Sequence, residues 1–241
     1  MIPRIIHYCW LGDSPKPTFV ESCISSWRKH LPDYQIIEWN PKNFDYNYCL
    51  YSREAYQKGK FAFVSDVARG YALYHHGGIY LDTDVEVLQS FDHLLSHRSF
   101  WGFEAGNYIA TSTIGAEKGN ELIRAYLDQY SGRRFIQDDG SMDLTTNVSI
   151  VTALIQQRGL ILKDSRQVIG NDNVVYPQRY FSPYDCRTGV LSVHSDTISV
   201  HYYSNTWNST RWFRFKRMLK NSVAKIVGEK FSNLLWLRKK L

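Results

Sequence analysis

The sequence lacks the features that mark membrane-spanning, secreted or zinc-built proteins. No stretch approaches the ~18 consecutive apolar residues of a transmembrane helix. The first residues turn polar too soon for a signal peptide or a membrane anchor. The four cysteines show neither a CxxC pair nor a Cys–His metal spacing, so they indicate reduced residues of a cytosolic protein. These absences predict a cytoplasmic protein that does not depend on disulfides.

The composition is that of a folded domain. Of the 241 residues, 44% are hydrophobic and 15% are aromatic, which supplies a core and argues against disorder. The chain holds 17 Tyr and 7 Trp, and aromatic faces suit sugar-binding sites, although most aromatic residues belong to cores. The length predicts one good-sized domain, or one domain with an extension.

The C-terminal end of the chain has a different charge balance. Residues 211–241 contain ten Lys or Arg but one acid, Glu229, and their apolar residues recur at helical spacing. A basic amphipathic helix with aromatic residues is typical of membrane surfaces. The alternatives are a helix packed on the core and a nucleic-acid contact, and the latter is disfavoured because no binding motif accompanies the bulky apolar face. We therefore divide the chain into a domain over 1–210 and a tail over 211–241.

Two carboxylates close the segment Gly77–Asp84. A short apolar run follows a Gly pair, and side-chain alternation in a strand would place Tyr80, Asp82 and Asp84 on one face. Carboxylates at the end of a buried strand are costly without a cation. Mg²⁺ or Mn²⁺ carrying substrate phosphates is a suitable partner. For an isolated Asp-x-Asp, a solvated strand end would be the ordinary explanation.

A helix with an internal ion pair precedes that strand. The apolar residues of 61–76 predict a helix facing a core. Asp66 and Arg69 are three residues apart and so share a helix face. A surface ion pair is the alternative, but the apolar flanks indicate burial, and buried ion pairs are seldom present for stability alone.

The beginning of the chain predicts a βαβ unit. Residues 2–10 and 34–39 indicate strands, and 17–30 indicates the connecting helix. Ligands of open α/β sheets bind at the carboxyl ends of the strands. Trp10 and Asn40 occupy those positions, so Trp10 is a candidate to stack on a base, or else a core residue, and Asn40 is a weaker candidate.

Ser65–Arg69 followed by Gly77–Asp84 resembles glycosyltransferase family 32, the DxD-motif sugar-nucleotide transferases that include bacterial capsule and O-antigen enzymes and, more distantly, the clostridial glucosylating toxins. Ile2–Gly12 resembles the family's opening strand and His201–Trp207 its closing motif, so the resemblance covers residues 1–210. It implies an α/β fold of the GT-A type, with a Rossmann-like mixed sheet. It also implies a retaining, metal-dependent hexosyltransferase that uses Mn²⁺ or Mg²⁺ and a UDP-sugar.

The resemblance also implies roles for single residues. The catalytic candidates are Asp66, Arg69 and Asn147. The candidates for nucleotide binding are Trp10, Asn40, Tyr80, Asp82, Asn205 and Trp207, and those for metal binding are Asp82, Asp84 and His201. Asn205 stands where the family often has a hydroxyl residue, with Ser204 and Thr206 beside it, so the phosphate contact stays open. Asn147 or Thr146 could instead be a helix cap, and His201 a structural histidine.

The implied acceptor is an oligosaccharide on a lipid carrier at the inner face of the plasma membrane, reached through the tail, for capsule or O-antigen synthesis. One alternative is an effector-like transferase that glycosylates a protein. A second is a non-catalytic carbohydrate-binding protein, which would not need the paired acids and Arg69 together. A third, a phosphatase or nuclease, would call for more carboxylates and histidines near the strand ends. Glu104 and Asn107 lie in the middle region where the family binds acceptors, and 131–143 is expected to be a mobile loop.

Overall fold

The computed structural model describes residues 1–186 and 188–204. Its helices are α1 (Thr18–His30), α2 (Leu50–Gln57), α3 (Phe61–His76), α4 (Glu121–Asp128), α5 (Asn147–Gln156) and α6 (Gln178–Phe181). Its strands are β1 (Ile5–Cys9), β2 (Gln35–Trp39), β3 (Gly78–Leu81), β4 (Val85–Val87), β5 (Ser99–Glu104), β6 (Tyr108–Ala116), β7 (Gln167–Ile169), β8 (Asn173–Tyr176), β9 (Tyr184–Asp185), β10 (Val190–Leu191) and β11 (Ser199–His201).

Seven strands form one mixed sheet in the order β2-β1-β3-β6-β5-β8-β7. β1 runs parallel to both β2 and β3, as a βαβ unit requires, while β6 is antiparallel to its neighbours β3 and β5. In the described residues, β4 pairs with β11 and β9 pairs with β10 in two further small sheets. The predicted α/β class with a Rossmann-like mixed sheet is confirmed. Because β3 and β5 point the same way as β1 and β2, the ends of all four lie at one carboxyl edge.

A hydrophobic cluster covers each face of the sheet. One joins α3, α4 and α5 to the inward side chains of the strands. The other joins α1 and α6 to the opposite face. In α1 the apolar residues at helical spacing (Val20, Ile24 and Trp27) are buried, as the sequence predicts.

Helix α3 is the central helix of the first layer. Gly70 lies where a Cβ would come 2.9 Å from Leu127 of α4, so the absent side chain permits close helix packing. The helix ends at Gly77, whose φ of 67° is the left-handed conformation that glycine adopts readily. A Cβ on Gly78 would lie 2.6 Å from the carbonyl oxygen of Ile5, so this glycine lets β3 pair closely with β1.

The prediction that Asp82 and Asp84 continue the strand is wrong. Strand β3 ends at Leu81, and residues 82–84 form a turn in which the Val85 amide donates to the Asp82 carbonyl at 3.0 Å. The next strand, β4, leaves the main sheet and pairs with β11. Strand alternation therefore does not bring the two carboxylates together; the turn does.

The C-terminal predictions fall where the structure gives no description. The domain boundary at 210, the tail over 211–241, Asn205 and Trp207 all lie outside the described residues. Within the described ranges, no helix combines the length and apolarity needed to cross a bilayer.

Candidate active site

Three predicted metal ligands, Asp82, Asp84 and His201, meet at the carboxyl edge of the sheet. One ligand atom from each lies within 4.8 Å of the others, an arrangement that suits the ligands of a single ion. The two carboxylates come from the turn after β3. His201 comes from β11, whose antiparallel pairing sets it opposite Val85, the residue after the turn.

Asp84 is held in place by the segment that follows β11. Ser204 donates to Oδ2 of Asp84 through its amide at 2.5 Å and through its hydroxyl at 2.9 Å. Burial opposes ionisation of this carboxyl, but His201 and the Ser204 donors outweigh it and lower the pKa of Asp84. Asp84 is therefore an ionised, pre-oriented carboxylate at neutral pH.

His201 adds a nitrogen donor to this pair of carboxylates. Its Nε2 lies 3.4 Å from Oδ1 of Asp84, while Nδ1 is buried with no hydrogen-bond partner among the described residues. Burial alone would lower the pKa of His201, but Asp84 and the other acids around it raise it. Two carboxylates with one imidazole fit Mn²⁺ or Mg²⁺, because oxygen ligands suit both ions and a divalent charge would neutralise the pair.

Arg69 joins this centre to a second acid. Its guanidinium nitrogen Nη2 lies 3.2 Å from Oδ1 of Asp82 and 3.3 Å from Oδ1 of Asp66, and Nη1 donates to the carbonyl of Thr111. The side chain is only 4% exposed, and its Nε is buried with no partner within 1–186 and 188–204. Burial disfavours the cation, but Asp82, Tyr80 and Asp66 outweigh it and raise the pKa of Arg69. Arg69 is thus a fixed cation between two carboxylates.

Asp66 is a buried acid with a raised pKa. Burial raises its pKa to about 7, with Asp82 adding to the rise and Arg69 opposing it. The Asn147 side chain donates to its Oδ1 at 2.6 Å. Thr146 caps α5, because its side chain accepts from the amide of Ser149. The side chain of Asn147 is therefore not the cap and contacts Asp66 instead.

Tyr80 lies beneath Arg69. The guanidinium carbon is 4.5 Å from the centre of the Tyr80 ring, and the residue is 2% exposed. This stacking supports the orientation of Arg69. The structure thus places Tyr80 beneath the ion pair, and its predicted part in nucleotide binding stays a prediction.

Trp10 and Asn40 follow β1 and β2, as predicted. Trp10 is half-buried, and its indole N–H donates to the carbonyl of Ser14 at 2.8 Å. The Asn40 side chain accepts from the amide of Lys42 at 3.0 Å and therefore shapes its own turn. Both residues sit on the β1–β2 side of the metal-ligand cluster.

Several contacts around the site carry no signal in sequence spacing. Tyr203 donates to Glu104 at 3.3 Å, which connects the end of β5 to the segment after β11. Burial raises the pKa of Glu104.

Loop 131–143, expected to be mobile, is anchored through the amides of Phe135 and Ile136, which both donate to Glu54 of α2 at 2.9 Å. A carboxylate that binds a loop eighty residues away has no local pattern by which it could be found.

Part of the chain is similar in sequence to known glycosyltransferases. Residues 17–101 match the model of the glycosyltransferase sugar-binding region containing a DXD motif. Inositol phosphoceramide mannosyltransferase 1 of Schizosaccharomyces pombe is 32% identical over 110 residues, covering 41% of this chain and 33% of the relative. Inositol phosphoceramide mannosyltransferase 3 of the same organism is 29% identical over 128 residues, covering 51% of this chain and 35% of the relative. The chain thus spans about a third of the length of these curated relatives.

Solved glycosyltransferases are also similar in structure. One involved in glycosylation of the major capsid of PBCV-1 has a TM-score of 0.49 and 12% identity, covering 92% of this chain and all of that one. The PaToxG glycosyltransferase has a TM-score of 0.48 and 18% identity, covering 65% and 69%. The DXD-containing match includes Asp66, Arg69, Asp82 and Asp84, so it spans the acids and the cation described above.

Proposed function

We propose that this chain, which carries the sugar-binding region of DXD-motif glycosyltransferases, transfers a hexose or N-acetylhexosamine from a UDP-sugar with the help of Mn²⁺ or Mg²⁺. The main support for this proposal is that one residue, Asp82, belongs both to the metal-ligand cluster and to the ion pairs of Arg69. Asp82 belongs to the metal-ligand cluster and also pairs with Arg69, which in turn pairs with Asp66. A donor diphosphate at the first site would have its sugar at the second.

In this proposal the buried acids and Arg69 hold the transferred sugar. Asn147 and Arg69 both contact Oδ1 of Asp66, so Oδ2 is the oxygen available to a sugar hydroxyl. Arg69 would donate to a hydroxyl or to a phosphate oxygen near Asp82. Because Asp66 and Arg69 are buried and held by hydrogen bonds and ion pairs, their charges would act strongly on the charge that develops as the bond between the sugar and the diphosphate breaks.

Asp82, Asp84 and His201 would hold the metal, and Ser204 keeps Asp84 oriented for it. When bound, the ion would neutralise the leaving diphosphate as a Lewis acid. The transfer would retain the configuration of the sugar. The acceptor hydroxyl would attack the anomeric carbon from the face that the phosphate leaves, and the departing phosphate oxygen would take the hydroxyl proton.

The proposed acceptor is lipid-linked. The similar yeast proteins are named for mannosyl transfer to an inositol phosphoceramide, which favours a hexose and a membrane-lipid acceptor. The basic, aromatic composition of residues 211–241 favours a surface position on an anionic membrane. We therefore place the enzyme at the inner face of the bacterial plasma membrane, adding sugar to a lipid-linked oligosaccharide for capsule or O-antigen synthesis.

The test is release of UDP from a panel of UDP-sugars with Mn²⁺, comparing the native protein with Asp84→Ala. We expect metal-dependent hydrolysis of one donor by the native protein and loss of at least a hundredfold in the variant. Asp33→Ala is the matched control, because Asp33 is exposed and precedes β2, at the opposite edge of the sheet. Equal activity of Asp84→Ala and Asp33→Ala would overturn the proposal.

A further inference from the structure

An ion pair lies at the carboxyl edge of β1 and β2, outside the groups assigned above. Nζ of Lys16 is 2.7 Å from Oε2 of Glu38, the penultimate residue of β2. The Tyr8 hydroxyl donates to the same oxygen at 2.5 Å. The Lys16 side chain is only 18% exposed and that of Glu38 is 29% exposed, so this pair is built into the edge of the domain.

The pair is contiguous with Trp10. The ammonium of Lys16 lies 5.7 Å from the centre of the Trp10 ring, and the loop that carries it is closed by the Trp10 contact to Ser14. Across the sheet the order of strands is β2, β1, β3, so Glu38, Trp10 and Asp82 follow one another along the same edge. A nucleotide with its diphosphate at Asp82 and its base on Trp10 would therefore point the edge of that base at Lys16 and Glu38.

The two side chains offer a hydrogen-bond donor beside an acceptor. Burial opposes the charge on Glu38, but Lys16 and Tyr8 outweigh it and lower its pKa, so the carboxyl is ionised and accepts only. Lysine donates only, and it has three N–H groups, of which the ion pair uses one. Tyr8 and Lys16 both bind Oε2, while the contact of Asn40 with Oε1 is long, at 3.4 Å. Oε1 and a Lys16 N–H are the groups that remain for a ligand.

This arrangement matches one class of nucleobase edge. Uracil and guanine each present a carbonyl next to a ring N–H, the lactam edge, which pairs with a donor next to an acceptor. Cytosine and adenine present an amino group next to an unprotonated ring nitrogen. In the pose that the diphosphate and Trp10 would fix, those bases would set their amino group against the Lys16 N–H and their ring nitrogen against the Glu38 oxygen, and unpaired polar groups in a partly dry site are costly.

Stability alone gives little reason for the pair. Partly exposed ion pairs contribute little to stability, and holding a lysine in one geometry costs side-chain entropy that offsets much of that contribution. We infer that Lys16 and Glu38 read the lactam edge of the donor's base and so restrict the donor to uridine or guanosine diphosphate sugars. The inference rests on the proposed function, since it needs a nucleotide at the Asp82 site.

The test is calorimetric binding of UDP, GDP, CDP and ADP in Mn²⁺, without any acceptor. We expect the native protein to bind UDP or GDP at least tenfold more tightly than CDP and ADP. In Glu38→Gln and in Lys16→Met that ratio falls toward one. If UDP is the preferred ligand, 3-methyl-UDP, which lacks the ring N–H, binds the native protein at least tenfold more weakly than UDP. It binds Glu38→Ala, which has neither the acceptor nor the bulk of Glu38, nearly as well as UDP does.

Lys29→Met is the matched control, because Lys29 is an exposed lysine of α1, and it should keep the native ratio. An unchanged ratio in both Glu38→Gln and Lys16→Met would overturn the inference, as would equal weakening of all four nucleotides, which indicates a purely structural role. A native preference for CDP or ADP would also overturn it while leaving a nucleotide-sugar transferase. Failure of the native protein to bind any of the four would instead refute the proposed function.

Discussion

Replacing Arg69 by methionine tests the buried charge arrangement most severely. Arg69→Met preserves most of the apolar stem but removes the cation that Asp66 and Asp82 share. It also removes the donor to the Thr111 carbonyl. What remains is Asp66, whose side chain is 11% exposed and whose charge Arg69 no longer neutralises.

The expected loss is large because one partner of a buried pair is left behind. Such changes cost about 3–5 kcal/mol of unfolding free energy, a large share of the roughly 5–15 kcal/mol of a typical domain. The loss should depend on pH. The pKa of Asp66 is raised from 3.8 to about 7, so its ionisation costs the native protein stability as pH rises from 3.8 to about 7. Arg69 opposes that rise in pKa, so its removal raises the pKa of Asp66 further and extends the loss of stability above pH 7. Arg69→Met should therefore destabilise more at pH 8 than at pH 5.

Urea unfolding at both pH values measures the effect. Asp66→Asn in the Arg69→Met background should recover part of the stability at pH 8, since it removes the unpaired charge. Arg124→Met is the control, because Arg124 is 68% exposed and its ion pair spans 4.0 Å, and it should stay within ~0.5 kcal/mol of the native protein. A loss below 1 kcal/mol in Arg69→Met, equal at both pH values, would refute the reasoning.

Three further predictions address separate parts of the molecule. Asn147→Ala removes the donor to Asp66 and should lower donor hydrolysis at least tenfold while changing UDP affinity, measured by calorimetry, less than threefold. Burial lowers the pKa of His7 from 6.5 to about 4, so the stability that its neutral form confers above pH ~6.5 should fall by about 3 kcal/mol as pH drops to 4. The slope of unfolding free energy against pH should shrink in His7→Gln, and an unchanged slope would contradict this. In Gly78→Ala the new Cβ meets the Ile5 carbonyl, and the residue must keep a φ of 111°, so urea unfolding should show a loss of about 3 kcal/mol in unfolding free energy. Gly59→Ala, whose Cβ meets nothing within 4 Å, should lose less and serves as the comparison.

Much of the fold follows from local patterns. Helices α1 and α3 were predictable because their apolar residues recur at helical spacing, and Gly77 marks the end of α3. Strand β1 was predictable as a buried β-branched run. Strand β2 was predictable as the run that follows the turn at Pro32 and Asp33, and most of it is only half-buried. The insertion of β6 between β3 and β5 was not, because antiparallel pairing across the middle of a sheet leaves no mark in the period of one strand.

Some residues of the candidate site could also be predicted from local spacing, and others could not. Asp66 and Arg69 share a helix face by spacing alone, and the structure pairs them. Grouping Asp82 with Asp84 was right, but the physical reason was wrong, since a turn rather than strand alternation joins them. His201 approaches them only because β11 pairs with β4, a contact between distant segments that a family resemblance can suggest and spacing cannot. Lys16 and Glu38 meet only because a loop folds back.

The most direct test of the central claim is electron paramagnetic resonance of Mn²⁺ titrated into the protein with UDP present. If Asp82, Asp84 and His201 hold the ion that carries the donor diphosphate, the native protein should bind one Mn²⁺ per chain in a UDP-dependent manner. Asp84→Ala should lose that binding and Asp33→Ala should keep it. Equal Mn²⁺ and UDP binding by Asp84→Ala and the native protein would contradict the account.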